Sequence, residues 1–223
     1  MTDAASLLAV LRISSPALPV GAFAYSQGFE YAVDAGWVKN AADTESWASG
    51  VLTHGLSYLD VPLLVRLYRS VGQPEDFKYW NQHCIASRET EELRQEERQL
   101  GKTLYQLLLK LEQPLPATLQ QEGEIPGWLA MFAFACYRWE MSEEQACLAY
   151  VWSWLENQLA AAAKTVPIGQ TDVQKITARL MPFLMQVVEK GKSRRDDDIF
   201  GGLPGLSMAS ALHEKQYSRL FRS

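Results

Sequence analysis

The strongest constraint on the fold of this chain is the apolar pattern of residues 143–164. Apolar side chains recur there at helical spacing and cover almost the whole circumference of the predicted helix. They are Cys147, Leu148, Val151, Trp152, Leu155, Leu159 and Ala162. A helix that is apolar nearly all round is buried, so we predict that this segment is the central helix of the fold. Ser142 and Gln145 match a capping box and mark its beginning.

Helical spacing dominates the rest of the chain as well. Leu7, Leu8 and Leu11 share one face of a first short helix, with Thr2 or Asp3 as its N-cap. Further helices are predicted from Ser26 to Val33, from Asp43 or Thr44 to Gly72 with a kink or restart at Pro62, over 75–112, from Pro126 to Trp139, and over 171–189. Strand alternation is not found. We therefore predict an all-α, single-domain bundle of about eight to ten helices.

Within this single domain, residues 1–190 are predicted to form the bundle, and residues 191–223 a flexible connection followed by a C-terminal tail. The charges and glycines of GKSRRDDDIFGGLPG indicate the connection. The densest run of charges, SRETEELRQEERQLGK over residues 87–102, predicts a solvated helix face with pairs such as Glu91–Arg94. Gly101 within it permits a close approach by another backbone.

Charge and composition exclude several classes of protein. The 223-residue chain has a formal net charge of -5, which argues against a generic nucleic-acid binder. Its apolar segments are too short or too polar to span a membrane, and its N-terminus lacks the features of a signal peptide. Cys84, Cys136 and Cys147 are too few for a disulfide framework, and we expect them to be small core hydrophobes. These features predict a cytoplasmic protein.

Catalytic motifs are not recognised in the sequence, which has neither a phosphate-binding loop nor a nucleophile elbow. His213 and Glu214 begin the HExxH pattern of zinc hydrolases, but Tyr217 stands where the second histidine is needed. His54 and His83 lie in predicted helices and are interpreted as packing residues. We therefore expect a protein that is not an enzyme and holds no metal site of its own.

Three segments are harder to explain as plain structure. The loop SSPALPVGAFAYSQGFE (14–30) is more apolar than loops usually are, and it is either a buried crossover or a segment placed for partners. KTVPIGQ (164–170) breaks two helices and carries apolar Val166 and Ile168. The tail ALHEKQYSRLFRS (211–223) interleaves aromatic, apolar and basic residues, and it either docks on its own bundle or presents anchors to a partner.

These segments resemble the signatures of a known family, the urease accessory protein UreF family. The resemblance lies in LPVGAFAYSQGFEYAVDAGWV (18–38), RETEELRQEERQLGKTL (88–104), VPIGQ (166–170) and SALHEKQYSRLFRS (210–223), in the family's order and spacing. It implies an all-α, non-catalytic urease maturation chaperone that is commonly dimeric. With UreD (UreH in some organisms), such a protein recruits the GTPase UreG and couples GTP hydrolysis to nickel insertion into apo-urease. It binds no cofactor tightly, because nickel passes through the complex.

The resemblance also implies which residues contact partners. Carried over to this chain, they are Pro19, Gly21, Phe23, Tyr25, Ser26, Glu30, Lys164, Gln170, His213, Tyr217, Arg219, Leu220, Phe221 and Arg222. In the tail, the apolar members are expected to anchor the interface and the two arginines to pair with carboxylates at its rim. We hypothesise that Glu30, Lys164 and Gln170 face the GTPase or a path for nickel and water.

Three alternatives stay open. In the first, the chain is a regulator that directly accelerates GTP hydrolysis by UreG; the sequence does not single out Arg88 or Arg179 as the arginine that would act on GTP. In the second, it is a helical hydrolase built around His213, although the metal ligands are incomplete. Or it is a plain helical structural protein, for which deletion of the tail would cost no function.

Overall fold

The computed structural model describes residues 3–120 and 124–223. Within these ranges the chain forms ten α-helices and no β-strand, which confirms the predicted all-α domain. The helices are α1 (Asp3–Ile13), α2 (Phe29–Asp34), α3 (Ala41–Val51), α4 (Asp60–Arg69), α5 (Pro74–Ala86), α6 (Glu91–Lys110), α7 (Trp128–Arg138), α8 (Glu143–Thr165), α9 (Gln170–Lys192) and α10 (Pro204–His213). Thr2, one of the two predicted N-caps of α1, lies outside the described residues.

Three helices supply most of the core. The predicted central helix α8 is buried along most of its length, and it packs against α1, α2, α4 and α9. Helix α7 is buried from Leu129 to Cys136 without interruption, between α4 and α6. Leu63, Leu64 and Leu67 of α4 have no exposed surface. Each such leucine stabilises the fold by roughly 1.5–3 kcal/mol relative to an exposed one.

Several local predictions are confirmed. Ser142 Oγ accepts the Gln145 N–H, and the Gln145 side chain accepts the Ser142 N–H, which completes the capping box of α8. The chain restarts as α4 at Asp60, so Pro62 occupies a first turn in which backbone N–H groups need no helical partner. Before it, Leu52–Leu56 form a π-helical turn that continues α3.

The helix predicted over 75–112 is wrong, because the chain forms two helices there. Helix α5 ends at Ala86, and α6 begins at Glu91 after an N-cap by Thr90, whose Oγ1 accepts the Leu93 N–H. The predicted close approach at Gly101 is confirmed. A Cβ at this position would lie 2.3 Å from the carbonyl oxygen of Pro126, so α6 directly contacts the chain that enters α7.

The segment predicted as a connection over 191–205 makes specific contacts with the bundle. Arg66 pairs with Asp196 at 2.8 Å, and Arg194 Nε donates to the Ser57 carbonyl oxygen at 2.8 Å. Ile199 is buried. The predicted flexibility of residues 191–205 stays a prediction. Among the described helices, none is both long enough and apolar enough to cross a membrane.

Candidate functional site

The tail lies along the opening loop instead of extending away from the bundle. The main-chain oxygen of Ser223 accepts the Ser26 N–H at 2.6 Å and the Ser26 hydroxyl at 2.5 Å. One residue earlier, the Arg222 N–H donates to the Ala24 carbonyl oxygen at 2.8 Å. Of the two open interpretations of the tail, the structure therefore has it docked on its own bundle.

Glu30 of α2 is the centre of this docking. Its side chain is 10% exposed, and its carboxylate accepts the Leu220 N–H at 2.7 Å and the Phe221 N–H at 2.9 Å. Oε2 also lies 3.2 Å from His213 Nε2. The Glu30 carboxylate therefore has a structural role: it binds the backbone of the tail and contacts His213. The hypothesis that Glu30 faces the GTPase or a path for nickel and water stays a prediction.

His213 connects Glu30 to helix α6. Its ring is fully buried, and Nδ1 lies 2.8 Å from Oε2 of Glu92. Each ring nitrogen of His213 thus faces a carboxylate oxygen, and it can donate a hydrogen bond there only while it carries a proton. The other oxygen of Glu92 accepts Nη1 of Arg219 at 2.8 Å. The polar set of Ser26, Glu30, Glu92, Glu96 and His213, with the tail residues 219–223 that it holds, is called the tail clasp below.

Glu96 is buried, like Glu30 and His213 of the tail clasp. It is 6% exposed, and its carboxylate accepts Gln27 Nε2 at 2.8 Å and Ser223 Oγ at 2.9 Å. Burial raises the pKa of Glu96 to about 7, against the opposing effect of these two donors. The prediction of a solvated face over 87–102 is wrong at this position and at Glu97, which is 4% exposed.

Glu97 belongs to a second buried polar cluster, centred on Arg88. Nη1 of Arg88 lies 2.8 Å from Oδ1 of Asp60, and Nη2 lies 2.9 Å from Oε2 of Glu97. Tyr150 donates its hydroxyl to Asp60 at 3.0 Å, and the Leu129 N–H donates to Glu97 at 2.8 Å. Burial alone would lower the pKa of Arg88, but the attraction of Asp60 and its neighbours outweighs this effect, so the pKa lies above its ordinary value. Arg88 is thus a structural cation.

A small cavity of about 80 Å³, with both polar and apolar walls, lies between the two clusters. Its lining includes Gln27, Asp60, Arg88, Glu96 and Tyr150. A cavity of this size with several polar partners has room for ordered water. Residues of the tail clasp and of the Arg88 cluster therefore both border this cavity.

The opening loop is partly a buried crossover and partly a surface segment. Tyr25 and Ser26 are buried, and their carbonyl oxygens accept the side-chain amides of Asn157 and Gln158 of α8 at 2.9 and 3.1 Å. Gly28 has a φ of 79°, and a Cβ there would lie 2.7 Å from the Ser210 N, so α10 packs directly on it. By contrast, Pro19 and Gly21 are exposed.

A surface groove of about 550 Å³ brings three of the predicted residues together. Phe23 of the loop, Lys164 at the end of α8 and Gln170 at the start of α9 all line it. Lys164 also lies over the ring of Phe221, with Nζ 5.4 Å from the centroid. This cation–π contact places Lys164 between the groove and the tail.

The predicted partner-binding residues thus divide by exposure. Tyr217 is fully exposed, Leu220 is 63% exposed, and Arg219 and Arg222 are exposed beside them. The buried members of the set are Tyr25, Ser26, Glu30, His213 and Phe221. In this conformation, the buried residues hold the loop and tail in place, and the exposed residues of the tail form its outer face.

Sequence reasoning missed Asp60, Glu92, Glu96, Glu97 and Arg88 as parts of this region. One signal was available: five acidic residues within nine positions exceed what the neighbouring basic residues of α6 can pair. The described residues contain no group of three or more His, Cys, Asp or Glu side chains that could hold a metal ion. Burial raises the pKa of Cys147 to about 12 and those of Cys84 and Cys136 well above the ordinary value, as expected for core thiols.

Comparison with known proteins gives a consistent result. A family model described as UreF matches residues 38–181. The chain is 45% identical to the urease accessory protein UreF of Chromohalobacter salexigens, over 99% of this chain and 96% of that protein. It is 44% identical to the protein of the same name from Alkalilimnicola ehrlichii, over 95% and 93%. The corresponding protein of Hahella chejuensis is 43% identical over 98% of each chain.

Proposed function

Because this chain belongs to the UreF family of urease accessory proteins, we propose that it is a maturation chaperone that acts as an adaptor between other proteins. With UreD (UreH), it recruits the GTPase UreG and couples GTP hydrolysis to the insertion of nickel into apo-urease. Nickel is the cargo of this complex, and the chain holds no cofactor tightly. It acts in the cytoplasm as a homodimer and catalyses no reaction itself.

One observation carries the adaptor role: the docked tail turns its hydrogen-bonded backbone and Phe221 inward, and Tyr217 and Leu220 outward. Glu30 and Ser26 bind the backbone of the tail, whereas Tyr217 and Leu220 project into solvent. An exposed tyrosine beside a leucine and two arginines has the composition of an interface hot spot. Because the clasp already fixes the tail, a partner would bind it with a smaller loss of conformational entropy.

The groove extends this surface toward the opening loop. Phe23, Lys164 and Gln170 line it, and Lys164 contacts the tail through Phe221. Phe221 follows Leu220 directly, so this contact links the exposed part of the tail to the groove. We propose that the exposed predicted residues form one partner-binding face and that the buried ones position it.

Co-purification tests this proposal. Tagged chain, wild type or Tyr217→Ala/Leu220→Ala, is expressed with UreD and UreG, and urease activation is measured in parallel. We expect the double variant to lose both partners and most activation while its thermal unfolding stays unchanged, because both side chains are exposed. The matched control is Tyr79→Ala, which removes another exposed tyrosine on α5. Full retention of both partners by the double variant would place the interface elsewhere.

The alternative of a direct GTPase activator is separated by a different assay. Arg88 is paired inside the protein and Arg179 is held by Glu45 at 2.6 Å, so neither is presented freely. Single-turnover GTP hydrolysis by UreG is measured with and without the chain. An adaptor leaves the rate constant unchanged, whereas an activator raises it by orders of magnitude.

A further inference from the structure

We propose that the C-terminal tail is a proton-dependent strap, which lies closed on the bundle while Glu96 holds a proton and opens when Glu96 ionises. The inference concerns the chain alone and does not depend on which partners it binds. It rests on the geometry of the tail clasp, on the balance of charge beneath the tail and on the shallow attachment of the tail itself.

The first observation is the position of Glu96. It lies on α6 directly under the end of the tail, where Ser223 Oγ and Gln27 Nε2 contact its two oxygens. The residue is 6% exposed, so an ionised carboxylate there would lose nearly all of its hydration. Burial accordingly raises the pKa of Glu96 to about 7. Lifting the tail would readmit water to this group.

The second observation is the balance of charge around Glu96. Glu30 of α2 and Glu92 of α6 both face His213, and Glu92 also pairs with the guanidinium of Arg219. Ionisation of Glu96 adds an excess negative charge beside these two acidic residues, in a site with little water. The closed tail is therefore favoured by the protonated form.

The remaining charged neighbours do not cancel this excess. Arg88 attracts the Glu96 carboxylate, but its guanidinium is already paired with Asp60 and Glu97, and Glu97 repels Glu96. On the outer side, Lys164 of α8 lies over the ring of Phe221. Lys215 and Arg222 of the tail are exposed to solvent, where their charges are screened.

The third observation is that the tail can move without unfolding the bundle. Beyond α10 it forms no helix, and only Phe221 and Ser223 of its last seven residues are buried. Segments with few buried contacts open at a lower free energy than the core. Ionisation of Glu96 is therefore expected to open the tail and leave the helices folded.

The sign of the pH dependence follows from the direction of the shift. The pKa of Glu96 is raised when the tail is closed and returns toward the ordinary 4.5 when the tail opens. Closure is thus fully favoured below about pH 4.5, weakens as the pH rises through 7, and changes little above that. Between pH 5 and pH 8, the ratio of open to closed tail should rise on the order of 50-fold.

A spin label at Ser218→Cys measures this ratio. Ser218 is exposed, and the three native cysteines are buried, so labelling is directed to the tail. Electron paramagnetic resonance spectra of the full chain are recorded from pH 5 to pH 8. We expect an immobile signal at pH 5 and a growing mobile signal that levels off just above pH 7. A label mobility that does not change over this range would overturn the proposal.

Variants assign the transition to Glu96. Glu96→Gln cannot ionise, so its tail should stay closed and its profile should be flat between pH 5 and pH 7, with helical circular dichroism unchanged. Glu91→Gln is the matched control on the exposed side of α6 and should titrate like the wild type. If Glu96→Gln fails to fold, Ser223→Ala decides: loss of a donor to the carboxylate should move the midpoint to higher pH. An unmoved midpoint would assign the transition to another group.

Discussion

Glu30 and Phe221 are 191 positions apart in the sequence, and the carboxylate of Glu30 accepts the backbone N–H of Phe221 at 2.9 Å. The same carboxylate accepts the Leu220 N–H, so a side chain of α2 provides the partners that a neighbouring strand or helix would otherwise give to the tail backbone. The backbone of the tail is therefore held by this carboxylate, and the side chains of Tyr217 and Leu220 remain exposed.

Removal of the Glu30 carboxylate should release the tail. Glu30→Ala deletes the acceptor for two backbone N–H groups and the contact with Nε2 of His213. Each lost bond is worth about 1 kcal/mol. We expect hydrogen exchange at Leu220 and Phe221 to accelerate at least about tenfold while the amides of α7 and α8 stay protected. Glu214→Ala, an exposed neighbour of His213, is the control and should leave both amides protected.

Loss of the Arg88 side chain should destabilise the whole domain. Arg88→Met leaves the carboxylates of Asp60 and Glu97 buried without their counter-charge. Breaking a buried pair in this way costs about 3–5 kcal/mol, measured as the free energy of unfolding in urea. Arg195→Met breaks an exposed pair with Asp198 and should leave the free energy of unfolding nearly unchanged.

Neutralising both carboxylates tests the reason for that loss. Adding Asp60→Asn and Glu97→Gln to Arg88→Met should recover part of the stability, because the remaining groups carry no charge. A triple variant less stable than Arg88→Met would mean that the hydrogen bonds of these carboxylates matter more than their charge.

Two glycines in helices should respond to alanine in opposite ways. A Cβ at Gly101 would lie 2.3 Å from the Pro126 carbonyl oxygen, whereas at Gly50 in α3 no heavy atom lies within 4 Å. Alanine favours a helix over glycine by about 1 kcal/mol, and overpacking costs about 1–3 kcal/mol. Gly50→Ala should thus raise the unfolding temperature and Gly101→Ala should lower it. Equal shifts would contradict the close approach of α6 to α7.

The exposed leucines of α1 should matter for assembly and little for folding. Leu7, Leu8 and Leu11 are 58%, 65% and 58% exposed, on the side of α1 away from the buried Ile13. We expect their joint replacement by glutamine to lower urease activation and the retention of UreD while leaving thermal unfolding nearly unchanged. Glutamine at Leu109 and Leu111, two less exposed leucines, is the control. Equal activation by both variants would remove α1 from the interface.

The three thiols should be unreactive in the folded protein. Burial raises the pKa of Cys147 to about 12 and raises those of Cys84 and Cys136 as well, so each stays a protonated thiol at pH 8. An aromatic disulfide reagent should label none of them in native buffer and all three in guanidinium chloride. Rapid labelling of one thiol in native buffer would indicate local opening at that position.

Local sequence signals predicted most helices because the interactions that start and end them lie within a few residues. The Ser142–Gln145 capping box and the restart at Asp60 beside Pro62 are of this kind. The break between α5 and α6 was missed even though Thr90 is a good N-cap, because charged residues continue across it without a change in pattern. The capping threonine would have been the correct signal.

The candidate site could be predicted only in part, because burial is decided by residues distant in sequence. Nothing near Glu96 in the sequence indicates that Gln27 and Ser223 cover it. In the same way, Leu7, Leu8 and Leu11 form the expected apolar face, but that face is turned to solvent. The opening loop and the tail were recognised as unusual, and their mutual contact required the structure.

The long separation between Glu30 and Phe221 also sets an order of events on the ribosome. At 5–20 residues per second, the carboxylate on α2 is made roughly 10–40 s before the segment that occupies it. During that interval α2 and the opening loop have no tail above them and remain open to chaperones or to early association with another subunit. Closure of the tail therefore follows the synthesis of α2 and the opening loop by at least this interval.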